Sequence, residues 1–441
     1  MLLIYCPKVT NRAGYVFNLI FKTILGTDFE ITSDEDFFAN HEGTKVCYNG
    51  SKIIDDCIFI KSKQLLFEHS IDNLELGFFE TDGIPAFFGH NDEDADLPFD
   101  IFAASFYLVS RYEEYLPFRT DKLGCYDASN SLVYNKGFLD KPVIDIWAWR
   151  LAEKINQRFP QWEMPRKRFD FISTVNLGQA YKYKRIGLLR TAYGYCHDIA
   201  KRDWQHVRQR TRVLFNKQDD PYDNYEHIIQ LSRKYGTKTL FWSLMCDYTP
   251  YDHNISYRNE HLRNTLKHLA DYGKVGISLS YNSSCDLQKQ EAETERLAEV
   301  LHKPVIRSRF NYQRFHLPLD YKNLNKIGIE KDFSMGYHNA VGFRAGTCTP
   351  FHFFSIKSNR EYNLLVYPTP IPENIFAIYS PDEALDKFKQ TINEIAKAGG
   401  TFVNIWKSEY FTNETYNGIY EQILELCKTQ IDNNHLIHKQ L

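Results

Sequence analysis

The sequence predicts an α/β protein in two parts, a smaller α+β domain over residues 1–165 and a distorted β/α barrel over residues 166–441. After residue 168, short apolar segments alternate with amphipathic helical segments, as in a parallel sheet that is closed or nearly closed into a barrel. Residues 160–168 contain two prolines and several charges, which favours a domain boundary there. The length of 441 residues fits two or three domains.

The composition is that of an ordinary globular protein, with 43% hydrophobic residues, 25% charged residues and a net charge of −3. This charge argues against an overall electrostatic field directed at nucleic acid or anionic lipid. Aromatic residues are abundant, with 32 Phe, 29 Tyr and 6 Trp. They fit either aromatic-rich cores or a cleft in which sugar rings stack, and composition does not separate the two.

The cysteines and the N-terminus indicate the compartment. Nine scattered cysteines form no CxxC pair, which argues against a disulfide framework and against a zinc–cysteine site. The N-terminus lacks a basic region followed by an apolar one, and no apolar run approaches the ~18 residues of a transmembrane helix. We therefore expect a cytoplasmic protein without a membrane span, and its oligomeric state stays open.

The first part contains candidate strands and helices in mixed order. Strands are expected at 2–5, 57–60 and 76–80, and helices at 15–25, from residue 101, and at 143–159. Asp100 directly precedes the second of these helices and is a suitable N-cap.

The second part shows the regular alternation. Strands are expected at 169–175, 237–245, 275–281, 305–310, 332–335, 364–367 and 402–406, and helices at 225–235, 261–272, 287–301, after Ser380 and at 414–428. Ser380 and Pro381 form a typical helix start. Functional residues of β/α barrels lie at the carboxyl ends of the strands, so those ends contain the candidate site.

The segment 182–217 is strongly basic. Ten Lys and Arg residues stand against Asp198 and Asp203, namely Lys182, Lys184, Arg185, Arg190, Lys201, Arg202, Arg208, Arg210, Arg212 and Lys217. The apolar residues of the segment recur at the spacing of one long amphipathic helix, and they are Leu188, Leu189, Tyr193, Cys196 and Ile199. Two interpretations stay open, a solvated helix face and a surface that binds a polyanion or a membrane.

Two long segments resemble a known family. Residues 97–114 read Leu-Pro-Phe-Asp-Ile-Phe-Ala-Ala-Ser-Phe-Tyr-Leu-Val-Ser-Arg-Tyr-Glu-Glu, and residues 332–350 read Asp-Phe-Ser-Met-Gly-Tyr-His-Asn-Ala-Val-Gly-Phe-Arg-Ala-Gly-Thr-Cys-Thr-Pro. Both are similar to segments of the polysaccharide deacetylase family, in the branch that couples an additional N-terminal domain to a chitooligosaccharide-deacetylase-type barrel. The resemblance covers most of the chain.

The resemblance implies a metal centre whose residues are replaced here. Family members remove acetyl groups from glycans with a divalent metal held by one Asp and two His, a second Asp as general base and a late His as general acid. At these positions stand Asn176 and Gly178 for the two Asp, Ser278 and Asn311 for the metal-binding His, and Lys407 for the late His. None offers the charged or imidazole ligand that a divalent ion prefers. We therefore predict no metal and no other cofactor; zinc is expected only if an active site has been rebuilt.

Other motif positions are retained. They are Arg309, Asp332, the 343–350 segment with Arg344, and Trp406, and Tyr281 and Glu409 follow neighbouring strands. In the family, the Arg and Asp of these motifs orient and tune the general base. Two questions stay open. Arg344 and Asp332 either keep this functional role or form a buried ion pair inherited with the fold. Tyr281 and Trp406 either stack on a sugar ring or pack in the core.

Three functions follow. The first is a catalytically degenerate deacetylase that binds or scaffolds a glycan or an acetylated sugar. The second is an active carbohydrate de-N- or de-O-acetylase with a rebuilt site that uses nearby polar residues, namely Asp170, Asp247, His253, Asp286, His316, His338, His352 or Glu409. The third is a metal-free transferase, or a nucleic-acid partner that uses the basic segment. A Gly-rich phosphate loop, a GxSxG elbow and an HExxH motif are all missing.

Overall fold

The computed structural model describes residues 1–81 and 83–439. The strands are β1 (Leu2–Tyr5), β2 (Phe29–Thr32), β3 (Thr44–Asn49), β4 (Ile58–Lys61), β5 (Phe78–Thr81), β6 (Ile84–Phe87), β7 (Asp170–Leu177), β8 (Leu240–Leu244), β9 (Lys274–Leu279), β10 (Arg307–Phe310), β11 (Lys331–Met335), β12 (Phe351–Ser355), β13 (Arg360–Pro368) and β14 (Thr401–Lys407). The helices are α1 (Asn11–Phe17), α2 (Glu35–Ala39), α3 (Ile101–Val109), α4 (Leu132–Asn135), α5 (Val143–Arg158), α6 (Leu188–Ala200), α7 (Trp204–Leu214), α8 (Tyr225–Tyr235), α9 (Glu260–Tyr272), α10 (Leu287–Leu301), α11 (Leu319–Lys326), α12 (Ile375–Ile378), α13 (Pro381–Ala398) and α14 (Glu414–Lys439).

The first part contains a four-stranded sheet in the order β2-β1-β3-β4, and every neighbouring pair is parallel. Strand β1 is buried along its whole length, as is usual for a parallel sheet that is covered on both faces. Strands β5 and β6 form a separate antiparallel hairpin. A parallel sheet with intervening helices is an α/β arrangement, which differs from the predicted α+β class of this part.

Asp100 is the N-cap of α3, as predicted. Its Oδ1 accepts hydrogen bonds from the backbone N–H groups of Phe102 (3.0 Å) and Ala103 (2.9 Å). Its Oδ2 accepts the Tyr48 hydroxyl (2.8 Å) and the Lys63 N–H (2.6 Å). Through Tyr48 and Lys63, the cap also connects α3 to β3 and to the loop after β4. Every residue of α3 is buried.

The second part contains an eight-stranded sheet in the order β12-β13-β11-β10-β9-β8-β7-β14. Strands β7 to β11, β13 and β14 run parallel to their neighbours, and β12 is antiparallel to β13. The predicted alternation of strands and helices is confirmed. The sheet is curled like a half-barrel, with β12 and β14 as its edge strands, and this is consistent with the predicted distorted β/α barrel.

Local signals place the helix of the last β/α unit. Ser380 accepts the Glu383 N–H (3.4 Å), and the Glu383 carboxylate accepts the Ser380 N–H (2.9 Å), so both halves of a capping box are formed. Pro381 occupies the first turn of α13, as the sequence predicted.

Buried polar contacts join the two parts. Arg344 donates to both oxygens of Glu114, at 2.9 and 2.7 Å, and Arg111 also donates to Glu114 (2.7 Å). Asp145 in α5 accepts the Cys348 N–H (3.0 Å) and the Thr349 hydroxyl (2.5 Å). The apolar core is continuous across this junction. The boundary at residue 165 lies in the irregular segment between α5 and β7 and stays a prediction.

The basic segment is not one long helix, contrary to the prediction. It forms α6 and α7, which are joined by a turn in which Arg202 has a left-handed backbone (φ 57°). The second helix starts at Asp203, whose carboxylate accepts the His206 N–H (3.1 Å) as an N-cap. Among the described residues, no helix is both long and apolar enough to cross a membrane.

Candidate functional site

The carboxyl ends of β7 and β14 border a cavity of about 240 Å³, which we call the strand-end cleft. Five residues predicted from the sequence line it: Asn176, Gly178, Asn311, Lys407 and Glu409. The lining also includes His253, which the sequence analysis named only as a nearby polar residue. Tyr251, Asp252, Tyr312 and Glu373, which it did not name, line the cavity as well. The structure therefore brings together four of the five positions at which the family resemblance implies metal or proton transfer.

Glu373 is the centre of the cleft floor. Its Oε2 forms an ion pair with Arg309 Nη1 at 2.8 Å and accepts a hydrogen bond from Asn176 Nδ2 at 2.8 Å. Burial raises the pKa of this carboxyl, but the positive charges of Arg309 and Lys407 outweigh it and hold the pKa at about 2. Glu373 is therefore an anion at neutral pH, and its charge is compensated by the protein itself.

A second buried carboxylate, Asp252, positions Asn311. Its Oδ1 accepts a hydrogen bond from Asn311 Nδ2 (2.9 Å), and its Oδ2 accepts the Tyr281 N–H (3.0 Å). The Thr249 hydroxyl donates to the same Oδ2 at 3.2 Å. A metal-binding histidine often donates its second ring N–H to a carboxylate, and the side-chain amide of Asn311 makes the same kind of contact to Asp252.

Tyrosines form one side of the cleft. The rings of Tyr251 and Tyr281 are stacked, with centroids 3.8 Å apart and planes 15° from parallel. Tyr312 donates its hydroxyl to the Tyr251 carbonyl (2.6 Å), and the Arg314 guanidinium lies over Tyr281 at 4.3 Å. Tyr251 is exposed and lines the cleft, while Tyr281 is half-buried behind it, so Tyr251 offers an aromatic surface to a ligand and Tyr281 supports it.

The donor set of the cleft does not fit a divalent metal. Asn176 Nδ2 is turned toward Glu373, Asn311 Nδ2 toward Asp252, and Lys407 adds a cation 3.7 Å from Glu409. In the part of the chain that the structure describes, no three carboxylate, imidazole or thiol ligand atoms of the cleft lie close enough together to share one ion. Hard divalent ions require such ligands, so the metal chemistry of the resembled family has no support from these residues.

One cluster elsewhere does bring three ligand types together, Cys285, His316 and Asp320, with ligand atoms within 4.8 Å. The Asp320 oxygens already accept the N–H groups of Cys285 (2.7 Å) and His316 (2.8 Å). They also accept the Gln290 amide (2.6 Å) and the Ser284 hydroxyl (3.1 Å). A carboxylate with four donors on it ties loops together and has no free lone pair directed at a cation.

Two predicted site residues, Ser278 and Asp332, are buried within the sheet and do not line the cleft. Ser278 in β9 is buried and is the register partner of Arg309 in β10. Asp332 in β11 is buried and accepts hydrogen bonds from the Ser308 hydroxyl (3.0 Å) and from the Ser334 hydroxyl and N–H (both 2.9 Å). Burial raises the pKa of Asp332 to about 6, and the hydroxyl contacts oppose that rise.

Arg344 and Trp406 are structural as well. The proposed ion pair between Arg344 and Asp332 is wrong, because Arg344 pairs with Glu114 while Asp332 is held by serines. Trp406 is buried and packs on the rings of Phe376 and Tyr420, with centroids 5.5 and 5.2 Å away. Its ring is therefore part of the core and offers no face to a sugar.

The remaining polar candidates are dispersed. His253 lines the cleft and contacts the Tyr248 hydroxyl (3.1 Å), and His338 lies beside Asn374 (3.5 Å) near the Glu373 charge. His352 is in β12 and pairs with Glu361. Asp286 caps α10, Asp247 pairs with Arg296 at 3.1 Å, and Asp170 lies at the opposite, amino end of β7.

Glu373 and Asp252 are the two carboxylates of the cleft that sequence reasoning missed, and it missed the lining tyrosines Tyr251 and Tyr312 as well. Glu373 follows β13 in the segment Pro370-Ile371-Pro372-Glu373, and Asp252 lies in the loop after β8. Both are the kind of loop carboxylate that the carboxyl ends of barrel strands place in a site, which was the signal available in the sequence.

Comparison with known proteins gives likenesses for both parts. Residues 2–160 match the model of a family of unknown function, DUF7033. A search of curated proteins found no match. Among solved structures, the chain is similar to a putative polysaccharide deacetylase from Mycobacterium smegmatis, with 11% identity and a TM-score of 0.39 over 60% of this chain and 86% of that chain.

Two further solved structures are similar to the same extent. Puue allantoinase has 9% identity and a TM-score of 0.39 over 61% of this chain and 87% of that chain. A probable polysaccharide deacetylase from Pseudomonas aeruginosa PAO1 has 8% identity and a TM-score of 0.37 over 59% of this chain and 84% of that chain. Likenesses of this extent concern the fold and say nothing about activity.

Proposed function

We propose that this protein binds a neutral, hydroxyl-rich glycan or an acetylated sugar in the strand-end cleft and does not hydrolyse it by metal catalysis. The observation that carries the proposal is the ion pair of Glu373 with Arg309 and its hydrogen bond from Asn176, within the field of the Lys407 charge, because these groups fill the floor of the cleft with a charge-compensated cluster. A compensated floor favours a ligand without net charge.

The polar groups of the cleft match the groups of a sugar. Lys407 can donate hydrogen bonds to a ligand, while Glu409 and the Tyr312 hydroxyl oxygen can accept them, and all three residues line the cavity. Asn176 Oδ1 is buried and accepts no hydrogen bond within the described part of the chain. A buried acceptor without a partner costs stability, so a ligand hydroxyl or acetamido N–H that reaches it adds affinity.

The aromatic side supplies the apolar contact. Sugar rings have apolar faces, and Tyr251, held in place by its stacking on Tyr281, offers an aromatic surface beside the polar floor. Binding pockets generally combine such an apolar wall with a few convergent polar groups.

Ligand-observed NMR and calorimetry with N-acetylglucosamine oligomers and with O-acetylated xylo-oligosaccharides test binding. The variant Tyr251→Ala should weaken binding about five-fold or more, since one aromatic contact contributes ~1 kcal/mol or more. Tyr272→Ala is the matched control, because Tyr272 is comparably exposed at the end of α9. No binding of either ligand class by the wild-type protein, or equal losses in both variants, contradicts the proposal.

Acetyl release and elemental analysis test the absence of metal catalysis. Protein purified without chelator is expected to contain no stoichiometric zinc, nickel or cobalt and to release no acetate above buffer when these ions are added. Turnover that depends on the added metal and disappears in Lys407→Ala would instead establish the alternative, an active deacetylase with a rebuilt site.

A further inference from the structure

Helix α6 turns its apolar side to solvent. Leu188 and Leu189 are each 89% exposed, Tyr193 is 73% exposed and Ile199 is 48% exposed. With Cys196, which is exposed as well, they recur every three or four residues and form one stripe along the helix. A surface helix of a globular protein normally packs such a stripe against the core, so the orientation of α6 is the reverse of the usual one.

Polar contacts hold α6 in this orientation. On the side opposite the stripe, Asp198 forms an ion pair with Arg210 of α7 (2.8 Å), and the Tyr195 hydroxyl contacts the Thr211 hydroxyl (2.9 Å). A Cβ at Gly194 would lie within 2.6 Å of the Arg210 guanidinium, so the close approach of the helices also depends on this glycine. The hairpin of α6 and α7 therefore has a polar interior contact and an apolar exterior.

Helix α7 adds aromatic and basic side chains to its own exposed side. Trp204 is 60% exposed and Phe215, directly after the helix, is 72% exposed. Arg208 and Arg212 are exposed between them, and the steps of three or four residues keep all of these side chains on one face. Trp and Phe beside Arg are typical of a surface that lies at the boundary between headgroups and acyl chains.

The exposed charge of the hairpin is positive. Arg185, Lys201, Arg202, Arg208, Arg212 and Lys217 are exposed. The two acids of the segment are already engaged, Asp198 with Arg210 and Asp203 with His206. The hairpin is thus complementary to an anionic surface.

The hairpin is fixed to the sheet end that carries the cleft. Asp220 accepts the N–H groups of Lys182 (2.8 Å), Tyr183 (2.9 Å) and Lys184 (2.9 Å) at its base. Arg190 donates to the Asn254 carbonyl (3.2 Å) in the loop after β8. These contacts hold the hairpin as a rigid projection from the carboxyl end of β7.

We propose that the α6–α7 hairpin docks on the surface of an anionic lipid bilayer, with the apolar side of α6 at the level of the upper acyl chains and the Arg and Lys side chains on lipid phosphates. Among the possible occupants, a nucleic acid offers no partner to Leu188, Leu189 and Ile199. A second copy of the chain would bring two positive surfaces together. A bilayer alone satisfies both the apolar stripe and the charge. The proposal does not depend on glycan binding.

Vesicle flotation and tryptophan fluorescence test it. The full chain should float with phosphatidylcholine vesicles that contain roughly one third phosphatidylglycerol, and bind pure phosphatidylcholine at least ten-fold more weakly, because each basic residue near an anionic surface contributes ~1 kcal/mol. Since Trp147, Trp149, Trp162, Trp242 and Trp406 are buried and Trp204 is exposed, the emission should shift to the blue on binding. The shift should be absent in Trp204→Phe.

Paired variants separate the apolar and electrostatic contributions. Leu188→Ser with Leu189→Ser should lower vesicle binding at least ten-fold, and Leu319→Ser, at an exposed leucine outside the hairpin, should not change it. Arg208→Glu with Arg212→Glu should abolish the preference for the anionic vesicle, and Lys303→Glu with Lys326→Glu should retain it. Unchanged circular dichroism and thermal unfolding show that the variants are folded.

Several outcomes would overturn the proposal. One is failure of the wild-type chain to float with the anionic vesicle, and another is vesicle binding that the leucine pair leaves intact. A dimer by light scattering, or binding to duplex DNA, that the same variants abolish in the absence of vesicle binding would assign the surface to a second copy or to a nucleic acid.

Discussion

Lys407 and Asn176 are register partners on β14 and β7, and both side chains act on the carboxylate of Glu373. In the family that the sequence resembles, these two strand ends carry a late His and an Asp of the catalytic centre. Here a cation and an amide stabilise a buried anion between them. The strand ends at which the resemblance implies proton transfer and metal binding thus contribute here to the polar network around Glu373.

The first prediction concerns the charge of Glu373. Glu373→Gln leaves Arg309 buried without its anionic partner, and breaking a buried pair in this way costs about 3–5 kcal/mol. Urea denaturation at pH 7 measures the loss. Glu409→Gln is the control, because Glu409 is only half-buried and its contact to Lys407 is 3.7 Å, and it should cost less than about 1 kcal/mol.

The same cluster predicts a pH dependence. The pKa of Glu373 is lowered in the folded protein to about 2 from its usual 4.5, so its contribution to stability is fully present above pH 4.5 and is lost as the pH falls towards 2. The difference between wild type and Glu373→Gln should therefore shrink by about 3 kcal/mol over that range. A difference that stays constant down to pH 2 would show that the charge is not the cause.

Glu293 should have the opposite pH dependence. Burial raises the pKa of this carboxyl from 4.5 to about 7, although the Ser280 hydroxyl and N–H donate to it at 2.5 and 2.9 Å. The folded state then holds the proton more tightly than the unfolded one, so the contribution is present below pH 4.5 and is lost as the pH rises through 7.

Glu293→Gln should remove that loss. Between pH 5 and pH 8, the free energy of unfolding should therefore fall less in the variant than in the wild type, and the two falls should differ by up to about 3 kcal/mol. Urea titrations at both pH values give the measurement. Glu295→Gln, an exposed change on the same helix, serves as control. If both variants keep the pH slope of the wild type, Glu293 does not titrate in this range.

Arg344→Lys tests the junction of the two parts. Arg344 donates to both Glu114 oxygens and, at 2.9 Å, to the Gly336 carbonyl, a planar pattern that a lysine ammonium does not reproduce. We expect a loss of about 2 kcal/mol or more in thermal or urea unfolding. Arg158→Lys, at a part-exposed pair with Asp96, should cost less than about 1 kcal/mol. Comparable losses at both sites would contradict the role given to Arg344.

Restoring the implied ligands should restore metal binding in part. Asn311→His keeps a donor to Asp252, and Asn176→Asp places a carboxylate 2.8 Å from the position of Glu373, where a bound cation relieves the repulsion. A Cβ at Gly178 would meet only Asn176 Nδ2, at 3.9 Å, so Gly178→Asp is sterically tolerated.

Combined with Lys407→His, these changes should give zinc binding by calorimetry with a dissociation constant in roughly the micromolar range, which corresponds to ~8 kcal/mol. The same protein with Lys407 retained should bind at least ten-fold more weakly, because the cation remains. Absence of zinc binding in the full variant would mean that the strand ends are not aligned as the family resemblance implies.

Much of the local structure was predictable. Helices α8 and α10 have the predicted bounds, and the caps at Asp100 and Ser380 form as expected. These features depend on side-chain periodicity and on contacts within a few residues, which the sequence contains directly. Strands β2, β3, β6 and β12 were missed, although β3, with six residues, is longer than the predicted strands β1 and β4.

Contacts between distant residues were not predictable in this way. The strand ends in the sequence correctly located Asn176, Asn311 and Lys407 in one cleft, since parallel strands present their carboxyl ends at one edge. The partner of Asn176, Glu373, is 197 residues away, and the partner of Arg344, Glu114, is 230 residues away. Only the packing of the sheet on its loops determines which buried charges meet.

By itself, then, the sequence predicted the alternation of strands and helices after residue 168, the caps that start two of the helices, and strand-end residues of which Asn176, Asn311 and Lys407 line one cleft. The tertiary structure decided that Glu373 neutralises Arg309 beneath the cleft and that the basic segment folds back as two helices with its apolar side outward. The physical reason is the range of the interactions. Periodicity and capping act within one or two turns, whereas a buried ion pair and an exposed stripe depend on what the rest of the chain packs against them.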